Sequence, residues 1–342
     1  MVTDTPLLRV EGLRTALGSD GNNFDVVTGV DLELREGETV ALVGESGSGK
    51  SVTALSIARL LGPRLRTVAG KVLLNGKDLL SLSEKGMRQL RGRDIAVVFQ
   101  EPMTSLNPVL RIGAQLAESI RRNPVAASSV RDRAIALLKS VGITNPESRI
   151  DMYPHQLSGG MRQRVMVAIA VAARPRVLIA DEPTTALDVT TQAQILDLMQ
   201  ARMAEFGAAT LLITHDMGVV ARYAQKVNVM YSGGIVERSD VQSLFAKPAH
   251  PYTRGLLNSM PRLDRPRMGR LSAIEGLPPS VLTRPKGCPF QPRCAFRIDK
   301  CSQKPPLESI AAGHEAACWR AREIASLPLD DQADAPAMRS GS

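Results

Sequence analysis

Gly44-Glu-Ser-Gly-Ser-Gly-Lys-Ser51 follows directly on the apolar run Thr39-Val-Ala-Leu-Val43. The spacing is that of a phosphate-binding loop set where a buried strand hands over to a helix. Glycines let the backbone curl so that several N–H groups converge on phosphate oxygens, and the helix N-terminus behind them adds favourable partial charge. Lys50 can reach the terminal phosphates, and the Ser51 hydroxyl can help to hold Mg²⁺. A chance Gly/Ser turn would not need a strand before it and a helix after it. The stretch predicts an α/β domain that binds a nucleoside triphosphate.

A second apolar run, Arg176-Val-Leu-Ile-Ala-Asp181-Glu182, ends in two carboxylates. In a parallel sheet such a run is a strand buried on both faces, and ligands gather at its C-terminal end. Asp181 is then placed to support Mg²⁺ through water, and Glu182 to polarise the water that attacks the γ-phosphate. Strand-end carboxylates alone say little, but behind a phosphate loop they specify a hydrolytic site.

Between the two runs lies Leu157-Ser-Gly-Gly-Met-Arg-Gln-Arg164, followed by the apolar stretch Val165 to Ala173. Read locally, Ser158 is the N-cap of a helix that runs into a core. Read with its neighbours, it resembles the signature motif of the ATP-binding-cassette (ABC) family. The other elements of that family follow in order. Gln100 ends the run Ile95 to Phe99 as a Q-loop glutamine does, Ala186-Leu187-Asp188 looks like the D-loop, and His215 after Thr210 to Ile213 looks like the switch histidine.

Composition limits the remaining choices. The 342 residues carry 44% hydrophobic and 23% charged side chains, ordinary for a globular chain. Val165 to Ala173 is nine residues long between Arg164 and Arg174, whereas a membrane helix needs about twenty. Met1 to Pro6 is polar with no apolar core behind it, so no secretory signal is expected. A net charge of +9 fits either nucleic acid or an anionic membrane surface, or simply a solvated basic face. Aromatics at 3% supply a base-stacking platform poorly, and nucleic acid is not an expected partner.

A composition boundary falls near residue 247. Thirteen of the 22 prolines and all four cysteines lie beyond Lys247. The expected organisation is a nucleotide-binding domain over 1–247, a Cys-rich extension over 248–325 and a disordered tail over 326–342. Within the first, residues 7 to 35 with a strand near 70 to 75 suggest an antiparallel sheet, and about 102 to 157 a helical insertion. Cys288, Cys294, Cys301 and Cys318 fall within 31 residues, separated by five, six and sixteen others. Disulfides do not persist in a reducing cytosol, so four thiolates on one metal centre give the best account. Softness allows Zn²⁺ or an iron–sulfur cluster, His314 could replace one cysteine on a shared helical face, and Lys286, Arg293, Arg297 and Lys300 could offset the charge.

Three further strings narrow the resemblance. Phe99 to Pro108, His250 to Pro261 and Gly287-Cys-Pro-Phe-Gln-Pro-Arg-Cys294 are similar to stretches of the dipeptide/oligopeptide/nickel importer ATPases. Met161, where many cassettes have glutamine, is also usual there. The resemblance, over about residues 7 to 322, implies a P-loop NTPase cassette: a RecA-like core with an antiparallel β subdomain, a helical subdomain and the small Cys-rich extension. It implies that Gly44, Glu45, Ser46, Gly47, Ser48, Gly49, Lys50, Ser51 and Val52 hold ATP, with Ser158, Gly159 and Gly160 reaching the ATP of a second cassette in a head-to-tail pair. Ser51, Gln100 and Asp181 would serve Mg²⁺, while Glu182, His215, Gln100 and Lys50 would be catalytic. The cysteine site tilts toward a 4Fe–4S cluster over zinc.

The implied partners are a homologous ATPase subunit, two transmembrane permease subunits and an extracytoplasmic solute-binding protein. The implied place is peripheral, at the cytoplasmic face of the bacterial inner membrane. The cargo could be dipeptides, longer peptides, nickel complexes or antimicrobial peptides. One departure stands out: the position that usually stacks adenine is Leu17, with Phe24 as the alternative in a shifted register. The competing reading is an ABC ATPase acting on nucleic acid or ribosomes, and a redox-sensing role for the cysteines would be an addition to either.

Overall fold

The computed structural model describes residues 5–18, 24–101, 105–123, 129–184, 188–260 and 274–329. Five short runs form a parallel array: β3 (Thr39–Val43), β6 (Ile95–Val98), β7 (Val177–Asp181), β8 (Ala209–Thr214) and β9 (Lys226–Tyr231), in the order β9-β3-β8-β7-β6. Every residue of β7 and β8 is buried, as continuous apolar strands covered on both faces must be. The crossovers leave the C-terminal ends of β3, β7 and β8 side by side, so Gly44, Glu182 and His215 all leave the sheet at one edge.

One face of this array packs on a second sheet. β1 (Leu8–Leu17), β2 (Phe24–Leu34), β4 (Leu65–Leu74) and β5 (Lys77–Asp78) pair antiparallel in the order β2-β1-β4-β5. Alternation in β1 turns Leu8 and Val10 inward, and a register shift after Val10 turns Leu13 inward too, where they share a core with Ile57 of the helix Lys50–Ile57 and with Leu42. The antiparallel subdomain expected from residues 7 to 35 and 70 to 75 is this sheet, with β4 starting earlier than expected.

The other face is covered by the helices Gly159–Val171 and Val189–Phe206. The first is buried on two sides: Met166, Val167 and Val171 pack toward the sheet, while Val165 and Ala168 pack toward the helices Ile112–Arg121 and Val130–Ser140. That second cluster is the helical insertion expected between Gln100 and Ser158. Its first residues, 102–104, lie outside the described residues.

Among the described residues, the chain beyond Lys247 packs largely on the sheet, with a small cluster of its own around Ala249, Ala316 and Ala321. β10 (Gly234–Asp240) pairs antiparallel with β9, and its other edge takes β12 (His314–Ala316), which pairs in turn with β11 (Glu308–Ala311). Covering that edge extends the sheet to eight strands among the described residues and removes an open row of backbone donors and acceptors. Tyr252, Cys288, Phe290 and Cys301 share one apolar cluster with Ala41, Val43 and Tyr231. Packing thus continues across residue 247 among the described residues. The tail expected to be disordered falls from residue 330 on outside the described residues; residues 326–329 are placed.

Candidate nucleotide site

The phosphate loop depends on two glycines that admit no side chain. Gly44 has φ 150°, and a Cβ there would stand 2.2 Å from the Met230 carbonyl oxygen. Gly49 has φ 107°, with Met230 Cε and the Val26 oxygen at 2.9 and 3.2 Å from a Cβ. Gly49 is also the N-cap of the helix Lys50–Ile57, and no side chain caps that N-terminus. Orphan N–H groups there are a ready anion site.

Two side chains look prepared for a ligand. The Ser48 hydroxyl is buried without a hydrogen-bond partner. Lys50 is buried, its Nζ donating to the Gly44 and Glu45 oxygens at 2.7 and 3.0 Å. Burial pulls its ammonium below the ordinary lysine range, opposed by the Glu182, Asp181 and Glu45 carboxylates. Val52, expected among the nucleotide contacts, packs its side chain on the core, so only its backbone faces the loop's chemistry.

The Ser51 hydroxyl donates to Asp181 Oδ1 at 3.1 Å. Burial pushes the Asp181 carboxyl upward, the Ser51 hydrogen bond holds it down, and the Glu182 charge adds to the rise. A desolvated carboxylate beside a hydroxyl and a second carboxylate is a donor set that fits Mg²⁺. Glu182 sits next, at φ 46°, a left-handed backbone that costs a non-glycine residue about 1–3 kcal/mol and tends to mark functional sites. Its N–H donates to the Ile213 oxygen at 2.9 Å, which fixes the turn. Gln100 Nε2 donates to Glu182 Oε2 at 3.1 Å, and His215 Nδ1 stands 3.4 Å from Oε1. Lys50, Ser51, Asp181, Glu182, Gln100 and His215, scattered over 166 positions of sequence from Lys50 to His215, meet at one sheet edge.

Ser158 caps the helix Gly159–Val171, its hydroxyl accepting from Met161 N at 3.3 Å. Ser158 and Gly159 are exposed. Gln163 of that helix is buried and donates through Nε2 to the Pro183 oxygen, tying the helix to the segment just after Glu182. Asp188 caps the helix Val189–Phe206 by accepting from Thr191 N at 2.9 Å, while Ala186 and Leu187 lie outside the described residues. Leu17 and Phe24, the alternatives for contacting the base, are directly opposite each other across β1 and β2 and both exposed. Opposed residues share a face of the sheet, so they form one apolar platform.

The cysteines depart from expectation. Among the described residues, no group of three or more His, Cys, Asp or Glu side chains stands close enough to hold one metal ion. The single metal centre drawn from the sequence, zinc or cluster, is not supported by this arrangement. All four are free thiols and near neighbours: Cys288 N donates to the Cys301 oxygen at 2.9 Å, and charges at Cys318, Cys288 and Cys301 bear on Cys294. Burial pushes Cys294 up to about 12 and Cys318 to about 11. Neutral thiols have no mutual attraction to draw their sulfurs to the separations a single ion would impose. His314 lies in β12, not on a helix, and its Nε2 pairs with buried Glu237 Oε1 at 2.7 Å. Lys300 stacks on Trp319 at 3.9 Å and Arg293 pairs with Glu45.

Sequence reading assigned Arg293 to the cysteines and missed this partner. The Arg293–Glu45 pair spans 248 positions, and no local pattern announces it.

Comparison with known proteins agrees with this geometry. The family profile described as ABC transporter matches residues 27–185, and that described as Oligopeptide/dipeptide transporter, C-terminal region, matches 236–301. A probable peptide ABC transporter ATP-binding protein of Sinorhizobium fredii is 49% identical over 94% of this chain and 97% of its own length. The dipeptide transport ATP-binding protein of Escherichia coli is 45% identical over 95% of this chain and 98% of its own. A solved dimeric ATP-binding cassette in a post-hydrolysis state with ADP and Pi superposes with a TM-score of 0.62 at 26% identity, covering 68% of this chain and 98% of that one. With the hydrolytic edge assembled as described and similarity extending through the cysteine segment, the chain belongs to the peptide-importer family of ABC transporter ATP-binding proteins.

Proposed function

We propose that this chain is the ATP-hydrolysing subunit of a membrane importer for peptides. The observation that carries the reading is the placement of Glu182, held by Gln100 on one oxygen and facing His215 on the other, beside the loop that holds phosphate. Lys50 and the orphan N–H groups of the helix Lys50–Ile57 bind the terminal phosphates. Ser51 and Asp181, with Gln100 nearby, would hold Mg²⁺, which would supply charge neutralisation on the phosphate oxygens. Glu182 orients the attacking water and takes its proton, and His215 stabilises the separating phosphate.

The exposed Ser158 and Gly159, with Gly160, close on the ATP of a second cassette in a head-to-tail pair; that dimeric cassettes occur among solved relatives supports this. Loss of the γ-phosphate then opens the pair, a switch of the nucleotide-gated kind. No helix among the described residues is long and apolar enough to cross a membrane, so the pore belongs to two permease chains, fed by a solute-binding protein. The chain sits peripherally on the cytoplasmic face, where ATP is available. Deleting it should abolish uptake of a labelled di- or oligopeptide through this route. Wild type should restore uptake and Lys50→Ala should not. Unimpaired uptake in the deletion strain, with no second cassette expressed, would reject the role.

The four cysteines are read as ligands of a 4Fe–4S cluster, whose sulfurs lie farther apart than those around a single ion. Support comes from the four thiols being near neighbours and from their chemistry. No step of hydrolysis is assigned to it. Protein purified without oxygen should be brown and carry iron with acid-labile sulfide. Four freely titrating thiols with no iron in that preparation would end this reading.

A further inference from the structure

Glu45, the second residue of the phosphate loop, is gripped from the far end of the chain. Its N–H donates to the Tyr252 hydroxyl at 2.6 Å. Its carboxylate takes a two-pronged bond from Arg293, Nη1 to Oε2 at 2.6 Å and Nη2 to Oε1 at 3.0 Å. Its carbonyl accepts from Lys50. Both distant anchors lie beyond Lys247.

The Arg293 side chain is only 4% exposed, and its guanidinium is fully used. Nε donates to the Glu275 oxygen at 2.9 Å, Nη2 also to the Ile274 oxygen at 3.2 Å, and Nη1 also to the Tyr231 hydroxyl at 3.4 Å. Five N–H groups thus meet five acceptors, the full donor set of an arginine. Its Cζ lies 5.9 Å from the centres of both the Tyr231 and the Phe290 rings. A solvated surface pair has none of these features.

We propose that Arg293 is a positioning residue for nucleotide binding, which fixes the start of the phosphate loop and cancels a carboxylate that would otherwise face the incoming phosphates. The proposal rests on the ATPase reading above and adds a part to it. Two effects act in the same direction. Without Arg293, the loop loses an anchor at Glu45, whose carbonyl helps to orient Lys50. The Glu45 charge also stands unpaired near a polyanion. Arg293 closes the short turn Gln291–Arg293 immediately before Cys294, so the clamp joins the cysteine segment mechanically to the nucleotide site.

The test uses the full chain in its complex, as wild type, Arg293→Ala, Glu45→Gln and the double variant. Arg293→Ala should raise KM for MgATP about tenfold while kcat falls by less than about twofold. Glu45→Gln should rescue it, because the repelling charge is gone: the double variant should return close to the KM of Glu45→Gln alone. A merely structural arginine would not be rescued by removing its partner's charge. An unchanged KM in Arg293→Ala, or a double variant as weak as Arg293→Ala, overturns the proposal. Arg293→Met keeps bulk against the two rings and is read in the same way where the alanine variant does not fold. Equilibrium binding of a fluorescent ATP analogue to the same proteins reads the clamp without turnover, which separates its failure from failure of the ATPase reading.

Discussion

Glu182→Gln is expected to stop steady-state ATP hydrolysis while leaving ATP binding intact. The substitution keeps the shape and keeps an oxygen for Gln100 Nε2, now 3.1 Å from Oε2. What disappears is the basicity needed to take a proton from water. Positioned general bases contribute about 10²–10⁴ in rate, so turnover should fall at least a hundredfold. The Glu182 charge attracts the Lys50 ammonium, which also donates to the Gly44 and Glu45 carbonyls and keeps those bonds. Removing a carboxylate near a polyanion should, if anything, tighten nucleotide binding. Phosphate release from purified complex and retention of radiolabelled ATP report the two halves. Turnover within about twofold of wild type would take the role away from Glu182.

Lys50→Ala should act earlier, on binding itself. The Lys50 ammonium is buried, donates to two loop carbonyls and is drawn toward three carboxylates. Its loss removes a charge-assisted bond to phosphate worth about 1.5–3 kcal/mol, or ten- to hundredfold in affinity. It also removes the ammonium charge that Asp181 and Glu182 attract, which weakens the pull of the site on a polyanion. Hydrolysis should be undetectable at millimolar nucleotide. Two readouts therefore separate the variants: Glu182→Gln binds without turning over, whereas Lys50→Ala does neither. Normal ATP affinity in Lys50→Ala would place the phosphates elsewhere.

The features legible in sequence were those whose chemistry is local. Gly44 to Ser51 and Asp181-Glu182 announce themselves because loop curvature and strand-end carboxylates are specified by adjacent residues. The parallel strands β3, β6, β7 and β8 could be read from uninterrupted apolar runs, and the helical insertion over about 102 to 157 is where Ile112–Arg121 and Val130–Ser140 are observed. The strands β11 and β12 were not legible. Each is short, β11 is mostly exposed, and their pairing depends on the free edge of β10. The left-handed backbone of Glu182 was invisible too, since it is imposed by the Ile213 carbonyl from another strand.

The cysteines illustrate the same division. Their clustering in sequence predicts four thiolates on one metal centre, whereas no group of three or more ligands stands close enough to hold an ion among the described residues. His314 was read as helical from its four-residue interval to Cys318, whereas a strand pairing and buried Glu237 decide its place. Glu237 also accepts the Ala249 and His250 N–H groups, so it anchors the start of the C-terminal segment. That anchor, with Tyr252 and Arg293, explains why a proline-rich stretch packs as part of the cassette instead of as an appendage.

The account stands most directly on hydrolysis and transport measured in the same vesicles. The reconstituted importer, with MgATP on the side of this chain and binding protein with labelled peptide on the other, should release phosphate and accumulate peptide together. Both signals should vanish with Glu182→Gln. Peptide accumulation that persists in the Glu182→Gln vesicles at the wild-type rate would contradict it.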